Sequence, residues 1–170
     1  VATARKIKED YPDASVVFIG PCASKKLEAS RRTVRSDVDF VITFEELAGM
    51  FEAKGLLPEA VEAHDHMNDA TSAGRGYGVA GGVASAIESC IREYYPDVEV
   101  HIEHAESLTE CKKMLMLAKA GKKNGCLIEG MACPGGCVAG AGTNIPIPQA
   151  VKEVTSFKNA AEEKLPSRED

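Results

Sequence analysis

Residues 125–142 read "GCLIEGMACPGGCVAGAG", an apolar run of strand length that closes on a glycine-rich turn carrying Cys133 and Cys137. Three more short β-prone runs precede it: "SVVFIG" at 15–20, "DFVIT" at 39–43 and "VEVHIE" at 98–103. Patterns with helical period separate or follow these runs. Strands alternating with helices predict an α/β fold, a four-stranded mostly parallel sheet flanked by helices. In such sheets the crossovers are right-handed, and ligands collect beyond the carboxyl ends of the strands. Cys22 follows the first run, and Cys133 and Cys137 follow the fourth. That placement is a structural reason to consider the three thiols as one constellation.

The helical stretches announce themselves by their ends. Thr43 and Glu46 have capping-box spacing, followed by an apolar stripe of Leu47, Met50 and Phe51 that stops near Gly55. A longer pattern begins around the glycines at 78–82, places Val83, Ile87, Ile91 and Tyr94 on one side, and ends at Pro96. Ser107 and Glu110 form a second capping-box pattern before Leu108, Cys111, Leu115 and Ala118, with Gly121 as the C-terminal cap. Residues 147–165 read as a final amphipathic helix. Residues 56–82, polar and glycine-rich, have no clear period and read as a long functional loop or a mobile segment.

Composition narrows the function classes. At 170 residues and 44% hydrophobic, the chain predicts one domain, 1–170, with a real core. A net charge of −6 argues against nucleic-acid binding, which needs a clustered basic face. No apolar run approaches the ~18 residues of a membrane span, and the charged opening has no signal peptide's apolar region. That opening, "VATARKIKEDYPDAS", lacks an initiator methionine and reads as part of a longer protein. The expected compartment is the cytoplasm.

Six cysteines could make three disulfides, but with this apolar content a disulfide framework is unnecessary, and metal binding or chemistry is the better reading. Cys90, Cys111 and Cys126 fall on apolar faces or runs and are expected to be small buried hydrophobes. In "GPCASKKLE" (20–28), Lys25 and Lys26 stand close behind Cys22 and would stabilise its thiolate, as a metal ligand or nucleophile requires. Three residues between Cys133 and Cys137 lie within zinc-site spacing, and the Pro134-Gly135-Gly136 backbone lets a ligand come close. Cys22, Cys133 and Cys137 together are one thiolate short of a four-cysteine iron–sulfur site.

"PCASKKLE" and "EGMACPGGCVAGAG" closely resemble the second and third signature motifs of the [FeFe]-hydrogenase catalytic domain. The intervening "DVDFVITFEELAGMF" and "GVAGGVASAIES" are similar to that family's central segments, in the same order. The resemblance covers roughly residues 12–160. It implies one lobe of the hydrogenase catalytic domain, in which four cysteines hold a [4Fe–4S] cluster and the last bridges to a two-iron unit carrying CO and cyanide. By motif position Cys22 and Cys133 would be cluster ligands and Cys137 the bridging ligand. Lys25 matches the lysine that hydrogen-bonds a cyanide, an ammonium facing an anion. Met131 matches a methionine lining the two-iron pocket, with Pro21 beside it.

The resemblance further implies reversible oxidation of H2 to protons and electrons, with ferredoxin or another electron carrier as partner. The fourth cluster ligand would come from the remaining N-terminal part of the same chain, so the 170 residues by themselves are expected to hold no cluster and to be inactive. Two departures stand out. Gly20 occupies the place of a methionine before Pro21-Cys22, which should open space beside the two-iron unit. Residues 140–142 run Gly-Ala-Gly rather than as a full glycine run. A glycine before Pro-Cys looks like the divergent hydrogen-sensing branch, whose output would pass to a signalling domain. The related cluster-assembly and nuclear-protein branch, which binds iron–sulfur clusters without hydrogenase activity, shares the run Lys-Lys-Leu-Glu-Ala-Ser. His64-Asp65-His66 reads as solvated surface, His101 and His104 as structural or exposed. Arg31, Arg32 and Arg35 read as a solvated face, with electron-donor docking the alternative.

Overall fold

A computed structural model describes residues 1–31, 33–34, 36–62 and 69–167. His64, Asp65, His66, Arg32 and Arg35 lie outside the described residues, and the readings made of them with them. The chain divides into two compact units, Val1–Ala63 with Gly140–Asn144, and His64–Ala139 with Ile145–Asp170.

In the first unit the runs at 15–20 and 39–43 form β1 (Val17–Gly20) and β2 (Phe40–Thr43). They pair in parallel, Val17 beside Phe40 and Gly20 beside Thr43. Helix α1 (Ala2–Asp10) precedes β1, and α2 (Ser24–Ser30) crosses from β1 to β2. Helix α3 (Phe44–Ala53) follows β2 directly. The capping box at its start is complete, since Thr43 Oγ1 accepts from the Glu46 amide at 3.2 Å and Glu46 Oε2 accepts from the Thr43 amide at 2.8 Å. Gly55, at φ +65°, lets the chain leave the helix where the pattern ends.

The second unit repeats the strand–helix–strand arrangement. Helices α4 (Ser72–Arg75) and α5 (Gly82–Tyr94) lead into β3 (His101–Glu106), α6 (Leu108–Lys119), β4 (Cys126–Met131) and α7 (Ile147–Asn159). Strands β3 and β4 are parallel and in register from His101 beside Cys126 to Glu106 beside Met131. The α/β class and the parallel pairing are as the sequence predicts, but the four strands form two two-stranded sheets among the described residues rather than one sheet of four. Each pair is joined by its own crossover helix. Hydrophobic runs reveal strands, whereas which strands become neighbours depends on contacts that no single run encodes.

Two helices differ from the sequence pattern. Helix α7 stops at Asn159 although its pattern runs on to 165, because the carbonyls of Glu163 and Lys164 turn back to accept from the amides of Ser72 and Ala73 at 2.7 and 3.0 Å. The stretch 56–82 contains a 3-10 turn at Pro58–Ala60, helix α4 and a second 3-10 turn at Gly76–Gly78. These turns are too short to show a hydrophobic period.

The core is made of small residues. Ala84, Ala86, Ala105, Ala150, Ala161 and Val138 are buried in the second unit and Ala4 in the first, and no large side chain among the described residues is fully buried. The expectation of a substantial core therefore fails. Val17, Ile19 and Phe40, which share one face of the β1–β2 pair, are 45%, 47% and 61% exposed. Alternation along a strand marks an apolar face but not whether anything covers it. Cys90, Cys111 and Cys126 are likewise half-buried rather than buried.

Candidate metal centre

All six cysteines are present as thiols rather than disulfides. In the first unit β1 ends at Gly20, so Pro21 and Cys22 turn off the carboxyl end of the strand before α2 begins at Ser24. Cys22 is half-buried and its carbonyl accepts from the Lys25 amide at 3.3 Å. The Pro21 carbonyl accepts from the Gly142 amide at 2.9 Å, and the Gly142 carbonyl accepts from the Glu45 amide at 3.1 Å. The glycine tail of the second cysteine motif is thus hydrogen-bonded to the first. Gly142 is required there, because a Cβ would lie 2.4 Å from the Cβ of Thr43.

One expectation at this turn needs correction. The space at Gly20 is not open: this residue is buried, and the Phe18 ring lies 2.8 Å from where its Cβ would be. Residues two apart on a strand share a face, so the ring leans over the glycine. The two lysines behind Cys22 have carboxylate partners. Lys25 pairs with Glu28, and Lys26 with Glu46 of α3. A carboxylate is ionised at neutral pH and a thiol mostly is not, so the carboxylates win the cations. The Lys25 hydrogen bond, opposed by slight burial, holds the Glu28 carboxyl below its ordinary range.

In the second unit β4 delivers Met131, half-buried, and then the cysteine turn. The Gly136 amide donates to the Cys133 carbonyl at 3.0 Å, closing a four-residue turn with Pro134 second and Gly135, at φ +92°, third. This is the type II arrangement that Pro-Gly favours. Gly136 also has positive φ (+95°), and a Cβ on it would lie 2.4 Å from the Ala80 nitrogen. Only glycine lets the turn approach the 78–80 backbone so closely. Cys133 is half-buried, while Cys137 is exposed and opens a single 3-10 turn, Cys137–Ala139. The Met131 carbonyl accepts from the Ser107 amide at 2.8 Å.

Sequence reading missed two carboxylates beside this turn. Glu129, buried in β4, accepts from the amides of Gly81, Val83 and Ala84 at 2.6, 3.1 and 3.1 Å, and meets His104 Nδ1 at 3.2 Å. Helix α5 has Gly81 as its N-cap and so no capping side chain of its own; Glu129 supplies the cap from outside. Glu106, at the end of β3, accepts from the Gly135 amide at 2.7 Å. A single acid within the apolar run "CLIEGM", opposite a helix that starts Gly-Gly, was the available signal for Glu129. Both histidines of β3 are exposed, His104 beside Glu129 and His101 beside Glu99.

The structure thus places Pro21 and Cys22 just beyond β1 with Lys25 in α2, and Met131 at the end of β4 with Cys133 and Cys137 in the turn beyond it. Within each unit, among the described residues, no three His, Cys, Asp or Glu side chains are arranged to hold a metal ion. The donors are thiols on strand-end turns with the Gly-rich backbone folded closely under them, the chemistry that an iron–sulfur cluster uses. By donor type the thiols of each unit, Cys22 in the first and Cys133 and Cys137 in the second, fit such a group.

Parallel strand pairs with crossover helices, and thiols beyond their carboxyl ends, place the chain in the α/β class. The description "Iron only hydrogenase large subunit, C-terminal domain" matches residues 1–141, and the chain belongs to that family. It is 30% identical to the periplasmic [Fe] hydrogenase large subunit of Nitratidesulfovibrio vulgaris, over 82% of this chain and 41% of that one. It is 29% identical to iron hydrogenase 1 of Clostridium pasteurianum, over 85% of this chain and 31% of that one. Among solved structures it resembles a variant of the [FeFe]-hydrogenase HydA1 from Chlamydomonas reinhardtii, with a TM-score of 0.63 at 19% identity, covering 94% of this chain and 59% of that one. The chain spans less than half the length of these curated relatives. No helix among the described residues is long and apolar enough to cross a membrane.

Proposed function

We propose that this chain supplies three of the four cysteine ligands, and one wall, of the catalytic iron site of an [FeFe]-hydrogenase that interconverts H2 with protons and electrons. The observation that carries the reading is the pair of strand-end cysteine turns, one in each unit, in a chain whose family is iron-only hydrogenase. Cys22 and Cys133 would bind a [4Fe–4S] cluster and Cys137 would bridge it to a two-iron unit bearing CO and cyanide. When bound, that group supplies an open iron that polarises H2 and a cubane that carries electrons.

This chain's own residues would bind and shape the site. Pro21 fixes the backbone before Cys22, the type II turn holds Cys133, and Met131 offers an apolar thioether to the pocket wall. Lys25 would face an anionic ligand of the two-iron unit, an exchange of one negative partner, Glu28, for another. The fourth ligand would come from a preceding part of the polypeptide, with ferredoxin or a similar carrier taking the electrons.

A second reading, a hydrogen sensor using the same site, is favoured by Gly20. The Phe18 ring lies 2.8 Å from where a Cβ on residue 20 would be, so the family's methionine could not be placed there without moving the ring. Slow turnover with output through a signalling domain would follow. Cys137→Ala in the full-length protein tests both readings. The expected outcome is loss of the two-iron unit and of H2 turnover; unchanged H2 activity would overturn them.

A further inference from the structure

Glu106 is the last residue of β3 and lies beside Met131, the last residue of β4, in the strand register. Its carboxylate is more than a neighbour of the cysteine turn: Oε2 accepts from the Gly135 amide at 2.7 Å, in the middle of the stretch between Cys133 and Cys137. The carbonyl of the same glycine accepts from the Ala80 amide at 3.1 Å. The turn is therefore suspended from both sides, its N–H on an acid and its C=O on an amide.

Glu106 is itself fixed. Its backbone amide donates to Glu110 Oε2 at 2.9 Å, one turn into α6. The next residue, Ser107, has φ +95° and ψ 154°, a conformation that residues other than glycine rarely adopt. It is held there by the bond from its amide to the Met131 carbonyl at 2.8 Å and by its Oγ accepting from the Glu110 amide at 3.3 Å. Backbone in such a region persists only where its surroundings over-determine it, and it gathers at functional sites. Ser107 adjoins Glu106 in the chain, at the end of β3.

Two consequences follow for a cluster bound by Cys133 and Cys137, and they rest on the reading given above. Amides near cluster sulfurs raise a cluster's reduction potential by donating to them, and negative charge nearby lowers it. Glu106 withholds the Gly135 amide and adds a negative charge. We propose that Glu106 is the positioning residue of the cysteine turn, holding its shape through the Gly135 amide and keeping the potential of the cluster bound there low.

The test uses the full-length protein with Glu106→Gln and Glu106→Ala. Glutamine keeps an acceptor oxygen and removes the charge; alanine removes both. In the metal-free protein, amide hydrogen exchange across residues 133–137 should quicken about tenfold or more in Glu106→Ala and stay near the original rate in Glu106→Gln. In the iron-loaded protein, a redox titration of Glu106→Gln should give a more positive midpoint potential with the same iron content. Unchanged exchange in Glu106→Ala would overturn the positioning role. An unchanged potential in Glu106→Gln would overturn the electrostatic one. Failure of the unsubstituted protein to take up iron and sulfide would instead overturn the assignment of the cysteines, while the exchange result would still decide whether Glu106 holds the turn.

Discussion

Glu129 shows how much of this chain's architecture hangs on single carboxylates. It is a charged residue buried in a strand, and it is tolerated because three backbone amides and a histidine surround it. Removing it would leave the first amides of α5 without acceptors in a buried setting. Glu129→Ala should therefore destabilise the fold by on the order of 3 kcal/mol, and Glu129→Gln by less, since one oxygen acceptor survives. Chemical denaturation of the three proteins measures this, and equal midpoints would contradict it. At this scale the sequence was legible where chemistry is local. Cys22, Cys133 and Cys137 stand out by their turns, and the Thr43–Glu46 box by its spacing. Glu106 and Glu129 were not legible, because their partners, Gly135 and residues 81–84, are distant in sequence.

Elements of the first unit are tied by cation–carboxylate pairs. Lys8 of α1 bonds Asp39 just before β2, Lys26 of α2 bonds Glu46 of α3, and Lys25 bonds Glu28 within α2. Each carboxyl is held below its ordinary range, chiefly by the lysine hydrogen bond; the Val16 amide adds to this at Asp39 and the Thr43 amide at Glu46. A carboxyl whose pKa is lowered by folding contributes its full stabilisation above the unfolded value, near ~4, and loses it as pH falls through the folded value. Such exposed pairs are weak singly and screened by salt. Acidification below about pH 4 should loosen the ties that Asp39 and Glu46 make to α1 and α2, as read from NMR resonances of Lys8 and Lys26. Resonances unchanged from neutral pH down to about pH 3 would contradict this. The helices were visible in the sequence wherever a cap and a period coincide, as in α3 and α6. Helix α7 was overread by several residues, since its end is set by hydrogen bonds to α4 and not by its own composition.

Over the whole chain, the parallel strand pairs, the strand-end cysteines and the family membership agree with one another. The division into two two-stranded sheets and the thin alanine core were not foreseen, because hydrophobic content measures what could be buried and not what covers it. Apolar faces such as Val17, Ile19 and Phe40 stand open in a chain that spans 41% of one relative and 31% of another. The central claim is that Cys22, Cys133 and Cys137 belong to a hydrogenase iron site. An infrared spectrum of the full-length protein, matured without oxygen, examines it most directly in the CO and cyanide stretching region. The account predicts bands there in the unsubstituted protein. An iron–sulfur protein without such bands would contradict it, and would place the chain with the non-catalytic cluster binders.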